Sequence, residues 1–308
     1  MSKYGETRIF RCAVMLAIGL VLSPWLSTCL SQPTTTSDSG VAVGPQYDTT
    51  HVYVSTADMD KFVQSFTTTF GGQASKKIVA NILPVPSRTA FEYVWTPVGT
   101  LSVFAFETPI PFPFGLERTG YLVTDMDAAL KAAREAGAEV IVLPFPDPVG
   151  IDAVIQWDGG VKTQLYWHTT KPAYGQLETV PDNRVYVSPD RADRFIREFL
   201  RFSRGTIVSD ESKADAGEIG NPGQTYRRVR IESSFGRLQI NITDGHLPFP
   251  FGRELTGYQV ADLDATLAKA RSAGVEVLVA PYSSVDRVSS IIEFPGGYIA
   301  EIHVLKKP

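Results

Sequence analysis

The chain repeats itself over most of its length. A Pro-Phe-Pro-Phe-Gly segment at residues 111–115, followed closely by Thr-Gly-Tyr, returns at residues 248–252. The offset is 248 − 111 = 137 residues, and it holds without a gap as far as the Gly-Gly pairs at 159–160 and 296–297. A repeat this long indicates that one structural unit is used twice. We therefore expect any binding site to lie inside a unit or between the two units.

The start of the chain is typical of an export signal. Basic residues precede an apolar run that Pro24 interrupts, and this run is shorter than the roughly 20 residues of a membrane-spanning helix. Leu-Ser-Thr-Cys, ending at Cys29, is similar to a bacterial lipobox, in which the cysteine receives a lipid. We predict a signal peptide at residues 1–28, lipidation of Cys29, a flexible tether at 29–47, and a lipid-anchored location in the periplasm or cell envelope. An ordinary cleaved signal and a short uncleaved anchor are the alternatives.

Composition narrows the chemistry of the remaining body. The two cysteines, Cys12 and Cys29, both fall in the leader, so the body has no cysteine nucleophile and no thiolate for a metal. The formal net charge is −4 and no basic stripe stands out, which excludes nucleic acid as an expected partner. The 308 − 47 = 261 residues after the tether suffice for two domains, and we expect each to bury its own core.

Each half of the body contains two similar modules. Residues 51–55 and 184–188 share a Val-Tyr-Val-Ser strand, and an amphipathic segment with two Phe residues four apart follows each. The second module of each half has a helix that ends at Gly137 or Gly274, a usual helix C-terminus. About three β-branched runs follow each helix.

The pattern predicts an α+β protein of four βαβββ modules in two pairs, each pair forming one curled half-barrel sheet. The modules occupy 48–109, 116–170, 182–245 and 253–306, and the two domains occupy residues 48–172 and 181–308.

This arrangement resembles the vicinal oxygen chelate superfamily, which includes glyoxalase I, extradiol dioxygenases and the bleomycin resistance proteins. Residues 256–264, the helix end at 272–277 and the final Gly-Gly-Tyr-Ile-Ala-Glu strand at 296–301 carry the resemblance most specifically. In that family two modules form a half-open barrel that holds a small ligand and often a divalent metal. The resemblance implies a metal ligand on the first and last strand of each module.

The residues at those positions do not form the metal site that the resemblance implies. The first half presents His51, Val103, Arg118 and Gln164 at the four positions, and the second presents Arg184, Ile240, Leu255 and Glu301. Neither set supplies three nitrogen or oxygen donors suited to a divalent cation, and a guanidinium repels one. We therefore predict no metal cofactor. A register shifted by one residue stays open, since it would bring Glu117 inward and create a His51, Glu117 and Gln164 metal site.

Several side chains are candidates for ligand binding. His51 has the pKa range of a general base or a pocket donor, and a hydrogen-bonded structural histidine is its alternative. Arg118, next to His51, suits an anionic or carbonyl-bearing ligand, whereas Arg184 and Glu301 suit either a ligand site or a structural ion pair. Gln164 and Tyr53 are further candidate lining residues. We interpret His168, His246 and His303 as surface or incidental, because the other half has no histidine at their positions.

Three classes of function remain open from the sequence. The first is a small-molecule binding protein that works without a metal. The second is a metal-dependent lyase, isomerase or dioxygenase of the superfamily, with His51 as base or ligand. The third is a structural or interaction module of the cell envelope. Fold alone does not choose among them, because sites are grafted on folds.

Overall fold

The computed structural model describes residues 40–307. The predicted signal peptide and the lipidation site Cys29 lie outside the described residues. The end of the predicted tether does not behave as a flexible linker, because Val41 is buried in a core and Ala42 forms an antiparallel bridge with Val123. Within residues 40–307, none of the helices has the length and hydropathy of a membrane span.

The first half forms one mixed sheet, in the order β2-β4-β5-β1-β6-β9-β8-β7, with β3 added beside β4. Its strands are β1 (Thr49–Tyr53), β2 (Gln73–Ala74), β3 (Ile78–Ala80), β4 (Thr89–Thr96), β5 (Gly99–Phe106), β6 (Thr119–Leu122), β7 (Glu139–Pro146), β8 (Gly150–Gln156) and β9 (Lys162–His168). The two modules join where β1 pairs with β6 in antiparallel fashion. Where the βαβββ plan has a single second strand, the first module has two short strands, β2 and β3.

The second half repeats this plan in an eight-stranded sheet, in the order β11-β12-β13-β10-β14-β17-β16-β15. Its strands are β10 (Asp182–Val187), β11 (Thr206–Asp215), β12 (Thr225–Ser233), β13 (Gly236–Ile242), β14 (Leu255–Gln259), β15 (Glu276–Ser283), β16 (Arg287–Phe294) and β17 (Tyr298–Leu305). Each sheet is open and curled, so the predicted α+β class with four βαβββ modules is confirmed.

One helix follows the first strand of each module. The helices are α1 (Met59–Phe70), α2 (Met126–Ala136), α3 (Pro189–Ser203) and α4 (Leu263–Ser272). Asp125 and Asp262 cap the starts of α2 and α4, where their carboxylates accept from the backbone N–H of Ala128 at 2.7 Å and of Ala265 at 2.9 Å. These caps satisfy N–H groups that a helix start otherwise leaves unpaired.

The expectation that each half buries its own core is wrong. One core combines α1 and its strands with α4, β16 and β17, so it joins the first module to the fourth. The other combines α2 with α3 and joins the second module to the third. Ring contacts cross the boundary in both cores, with Phe66 5.1 Å from Phe294 and Trp157 5.2 Å from Phe202. The helices therefore lie between the two sheets, and the opposite face of each sheet is left for a site.

Candidate functional site

The site-bearing face of each sheet is set by the pairing of first and last strands. In the first sheet His51 pairs with Ser102 and Gly120 pairs with Gln164. In the second sheet Arg184 pairs with Gln239 and Gly257 pairs with Glu301. We call the face of the first sheet that carries His51 and Gln164 the first cup, and the face of the second that carries Arg184 and Glu301 the second cup.

This register corrects four of the positions expected from sequence spacing. Val103 and Ile240 lie fully buried in the two cores, on the opposite face from His51 and Arg184. A slip of one residue moves a strand side chain to the other face of its sheet, and Ser102 and Gln239 hold the cup positions instead. On β6 and β14 the positions paired with Gln164 and Glu301 are glycines, two residues after Arg118 and Leu255.

These glycines leave room for the side chains across from them. A Cβ at Gly120 would lie 2.6 Å from Nε2 of His51 and 2.9 Å from Oγ1 of Thr49. A Cβ at Gly257 would lie 2.7 Å from Oε2 of Glu301 and 3.0 Å from Nε of Arg184. The strand position paired with Gln164 or Glu301 therefore carries no side chain in either cup.

The first cup encloses a cavity of about 110 Å³. Since a site of 10–15 Å³ on this measure admits one water, the cavity has room for a small organic molecule. Its walls are mainly aromatic and aliphatic: Tyr53, Ile78, Ile82, Leu83, Phe91, Tyr93, Phe104, Phe106, Phe114, Phe145, Pro148, Val149 and Tyr166. The remaining lining residues are polar: Thr49, His51, Ser102, Glu117, Asp147, Asp152, Gln164 and His168. Such a lining, apolar with a few convergent polar groups, is typical of a ligand site.

One polar cluster in the cavity consists of His51, Tyr53 and Glu117. The Tyr53 hydroxyl donates to Oε1 of Glu117, and the Leu116 N–H donates to Oε2 at 3.2 Å. Nδ1 of His51 lies 3.8 Å from Oε1, which is an ion-pair contact but too long for a hydrogen bond, and both side chains are 1 % exposed. Burial alone would raise the pKa of Glu117, but His51 and then Tyr53 lower that pKa more strongly, so the carboxylate stays ionised. Burial, with the charge of Glu117, raises the pKa of Tyr53, which remains a donor.

A second polar cluster consists of Asp152 and Gln164. The side-chain amide of Gln164 donates to Oδ2 of Asp152 at 2.8 Å, while Oδ1 of Asp152 has no hydrogen-bond partner among the described residues. Burial, and then the charge of Asp147, raise the pKa of Asp152 well above the usual carboxyl range. Burial therefore favours the neutral form of Asp152, whereas the neighbours of Glu117 favour its ionised form.

Arg118 is placed differently from the sequence expectation. Its guanidinium lies over the ring of Tyr53, 5.6 Å from the centroid, and Arg118 is not among the residues that line the cavity. Glu117 takes the inward position, as the shifted register anticipated. Burial raises the pKa of Glu254, the repeat counterpart of Glu117, to about 7, and the charge of Arg118 opposes that rise.

The residues of the first cup do not fit a metal centre. Within residues 40–307, no three His, Cys, Asp or Glu side chains are grouped where they could share an ion. The sequence alternative of His51, Glu117 and Gln164 supplies an imidazole and a carboxylate close together, but the Gln164 amide is directed to Asp152. Gly120 leaves no donor between these groups. His51 and Glu117 are therefore the two strong donors in contact here, fewer than the three protein ligands of a usual catalytic divalent site.

The second cup is filled by ion pairs. Nη2 of Arg184 lies 3.0 Å from Oε1 of Glu301, whose Oε2 lies 2.8 Å from Nδ1 of His303. Nη1 of Arg287 donates to Asp182 at 2.7 Å. Burial would raise the pKa of Glu301, but Arg184 and then His303 outweigh it and lower the pKa to about 2. Arg184 and Glu301 thus form an ion pair, as the structural alternative predicted, while Nε of Arg184 and Oε1 of Glu301 have no hydrogen-bond partner among residues 40–307.

A short turn packs against one side of the second cup. Residues Ala216–Ile219 pack with Tyr226, Tyr186 and Phe251, and Glu218 accepts hydrogen bonds from Arg228 and Tyr226. Arg228 also donates to Glu211 at 2.8 Å. The corresponding part of the first half is the short β3 strand and the loop after it, which line the open cavity.

Two of the three histidines interpreted as incidental are part of the cups. His303 is 1 % exposed and bonded to Glu301, while His168 lines the first cavity. Sequence reasoning also missed Asp152, Ser102 and Gly120. Alternation along β8 and β5 would have placed Asp152 and Ser102 on the cup face, if the strand register had been known. Only His246 is exposed as expected.

Comparison with known structures shows the fold class. The chain is similar to a variant of 4-hydroxymandelate synthase from Streptomyces coelicolor, with a TM-score of 0.59, 13% identity, and coverage of 88% of this chain and 93% of that one. It is also similar to a Mn(II)-bound glyoxalase from Novosphingobium aromaticivorans, with a TM-score of 0.50, 12% identity, and coverage of 86% and 82%. No protein-family model and no curated protein sequence matches the chain. The chain has the vicinal oxygen chelate fold, in two tandem domains.

Proposed function

We propose that this protein binds a small organic molecule in the first cup without a catalytic metal. The observation that carries the proposal is a pair of buried polar atoms in an aromatic cavity. Nδ1 of His51 and Oδ1 of Asp152 have no hydrogen-bond partner among residues 40–307, although the two residues are only 1 % and 8 % exposed. Buried polar groups in folded proteins are nearly always paired, so each unpaired atom calls for a partner. A ligand with hydrogen-bonding groups supplies it.

The glycine on β6 supports the metal-free part of this proposal. Gly120 stands where the strand pairing would place a donor opposite Gln164. Oε1 of Glu117 accepts from Tyr53 and Oε2 accepts from Leu116, so the carboxylate is already held by protein donors. Binding in this cup therefore depends on the protein's own side chains.

A ligand screen tests the binding proposal. Thermal shift followed by calorimetry, with a panel of small aromatic and carbonyl compounds, should yield at least one ligand. Asp152→Ala should lower the affinity for that ligand by about tenfold or more, because a buried hydrogen bond is lost. Ser289→Ala, at the equivalent position of the second half, is the control and should leave affinity unchanged. If neither Asp152→Ala nor His51→Ala changes the affinity for the ligand, the binding site lies outside the first cup.

A metal-dependent enzyme of the superfamily is the second candidate. The 3.8 Å contact between His51 and Glu117 favours it, since metal sites and general-base sites often contain an imidazole next to a carboxylate. One structural neighbour is a Mn(II)-bound glyoxalase. Stoichiometric metal in the purified protein, together with turnover that His51→Ala abolishes, would establish this alternative.

We also propose that the protein is exported and lipid-anchored through Cys29. The support is the basic and apolar leader and the Leu-Ser-Thr-Cys sequence that ends it. Labelling of cells with radioactive palmitate should mark the protein, and Cys29→Ala should abolish the label. Retention of unlabelled wild-type protein in the cytoplasm would contradict this proposal.

A further inference from the structure

Resting on the proposed function, we infer that the first cup selects a small organic cation, an amine or quaternary ammonium group on an apolar body. The first observation is the charge of the lining. Three of the lining residues are acids, namely Glu117, Asp147 and Asp152, and the described lining contains no lysine or arginine. A buried cation requires nearby anionic or π-electron partners, and this cavity offers both.

The second observation is the arrangement of the aromatic walls. The rings of Tyr53 and Phe104 stack with centroids 5.2 Å apart, and Phe91 lies 5.2 Å from Phe104. Tyr93 meets Phe91 edge to face at 4.6 Å. Several rings thus line one small volume, which we call the cage, and proteins bind ammonium groups beside such groups of rings.

The same lining disfavours an anionic ligand. A carboxylate or phosphate in the cavity would lie near Glu117, whose low pKa keeps it ionised, and would find no lysine or arginine among the described lining residues. Arg118 is placed over the ring of Tyr53, and its charge also acts on Glu254. The guanidinium therefore lies beside the cage and not within it.

Asp152 gives the inference a distinctive signature. In the free protein burial favours the neutral form of this carboxyl by raising its pKa, and Oδ1 has no hydrogen-bond partner within the described residues. A cation bound beside it would favour the ionised form, so binding should release a proton. The other charged or titratable groups that share the cavity are His51, Tyr53, Tyr93, Glu117, Asp147, Tyr166 and His168. Affinity for a cation should therefore increase with pH through the range in which Asp152 titrates.

Calorimetry with three probes of similar size tests the inference. Trimethylphenylammonium is the cation, tert-butylbenzene is its neutral isostere, and benzoate is the anion. We expect the cation to bind about tenfold or more tightly than the isostere, because a desolvated cation–π contact has that magnitude, and we expect no binding of benzoate. Equal or tighter binding of the isostere or of benzoate would overturn the inference while leaving the binding proposal intact. If none of the three probes binds but an aromatic or carbonyl compound from the ligand screen does, the cation inference fails and the binding proposal stands. If no compound binds at all, the cation inference and the binding proposal both fail.

Variants separate charge from shape. Glu117→Gln should lower the affinity for the cation by about tenfold and leave the affinity for the neutral isostere unchanged. Asp152→Asn should remove both the pH dependence and the buffer-dependent heat of proton release. Glu135→Gln, which removes one exposed charge on α2, is the control and should change neither. If Glu117→Gln does not fold, Asp152→Asn decides, and an unchanged proton release in that variant would overturn the inference.

Discussion

At the scale of single residues, the two halves differ in what stands beside a shared glycine. Gly120 lies against the imidazole of His51 and Gly257 lies against Arg184 and Glu301. Buried atoms without a hydrogen-bond partner lie in both cups, but in the second cup an arginine and a glutamate neutralise each other at 3.0 Å. The same backbone position therefore supports a cavity in one half and a structural ion pair in the other.

Gly120→Ala should destabilise the protein by about 1–3 kcal/mol. Its Cβ would lie 2.6 Å from Nε2 of His51 and 2.9 Å from Cε1 of Tyr166, so buried side chains would have to move. Denaturant unfolding measures the loss. Gly175→Ala is the matched control, since a Cβ there has open space, and should stay within about 0.5 kcal/mol. Equal stability of the two variants would contradict this packing.

Glu301 should make the protein sensitive to acid. Its folded-state pKa is about 2, below the ordinary value of 4.5, because Arg184 and His303 outweigh the opposing effect of burial. A lowered pKa stabilises the fold above pH 4.5, and the stabilisation is lost as pH falls from there toward about 2. The loss is roughly 3 kcal/mol by the usual conversion. We expect the unfolding free energy to fall less in Glu301→Gln than in the wild type when the pH is lowered from about 6 to about 2.

An exposed carboxyl provides the comparison for that experiment. Glu276 lies on the outer part of β15 and is exposed. Glu276→Gln should reproduce the acid profile of the wild type. If Glu301→Gln shows the wild-type slope as well, the ion pair does not contribute to the acid response.

At the scale of secondary-structure elements, helix packing ties the halves together. α1 contacts α4, and α2 contacts α3, so each core draws on both repeats. The sequence predicted the helices and their caps because these depend on local patterns such as Asp before the helix and glycine after it. It did not predict which helices meet, since an apolar helix face does not identify its partner.

Phe66→Ala should destabilise the whole molecule by about 3–5 kcal/mol. The ring is fully buried and lies 5.1 Å from Phe294 and 5.6 Å from Tyr258, both in the other half. Thermal and denaturant unfolding should show one transition at lower stability, not the loss of one half alone. Phe112→Ala, at an 85 % exposed position, is the control and should be close to neutral. Two separate transitions would contradict the shared core.

At the scale of the whole molecule, the repeat in the sequence predicted the four modules and the two curled sheets. The cup residues were harder to predict, because strand register decides which face each side chain takes. His51, Gln164, Arg184 and Glu301 were placed on the cup faces, while Val103 and Ile240 were assigned to them in error. Asp152 belongs to no sequence motif, so its place in the cavity follows only from the structure, where it contacts Gln164. The turn at Ala216–Ile219 also depends on long-range contacts, so the repeat could not reveal how the two cups differ.

The central claim is that the first cup holds a ligand through its own side chains and not through a metal. The most direct measurement is anomalous diffraction from crystals grown with Mn²⁺ or Zn²⁺, together with elemental analysis of the purified protein. We predict no ion among His51, Glu117 and Gln164, and no stoichiometric metal in solution. An ion coordinated by that imidazole and carboxylate would contradict the account.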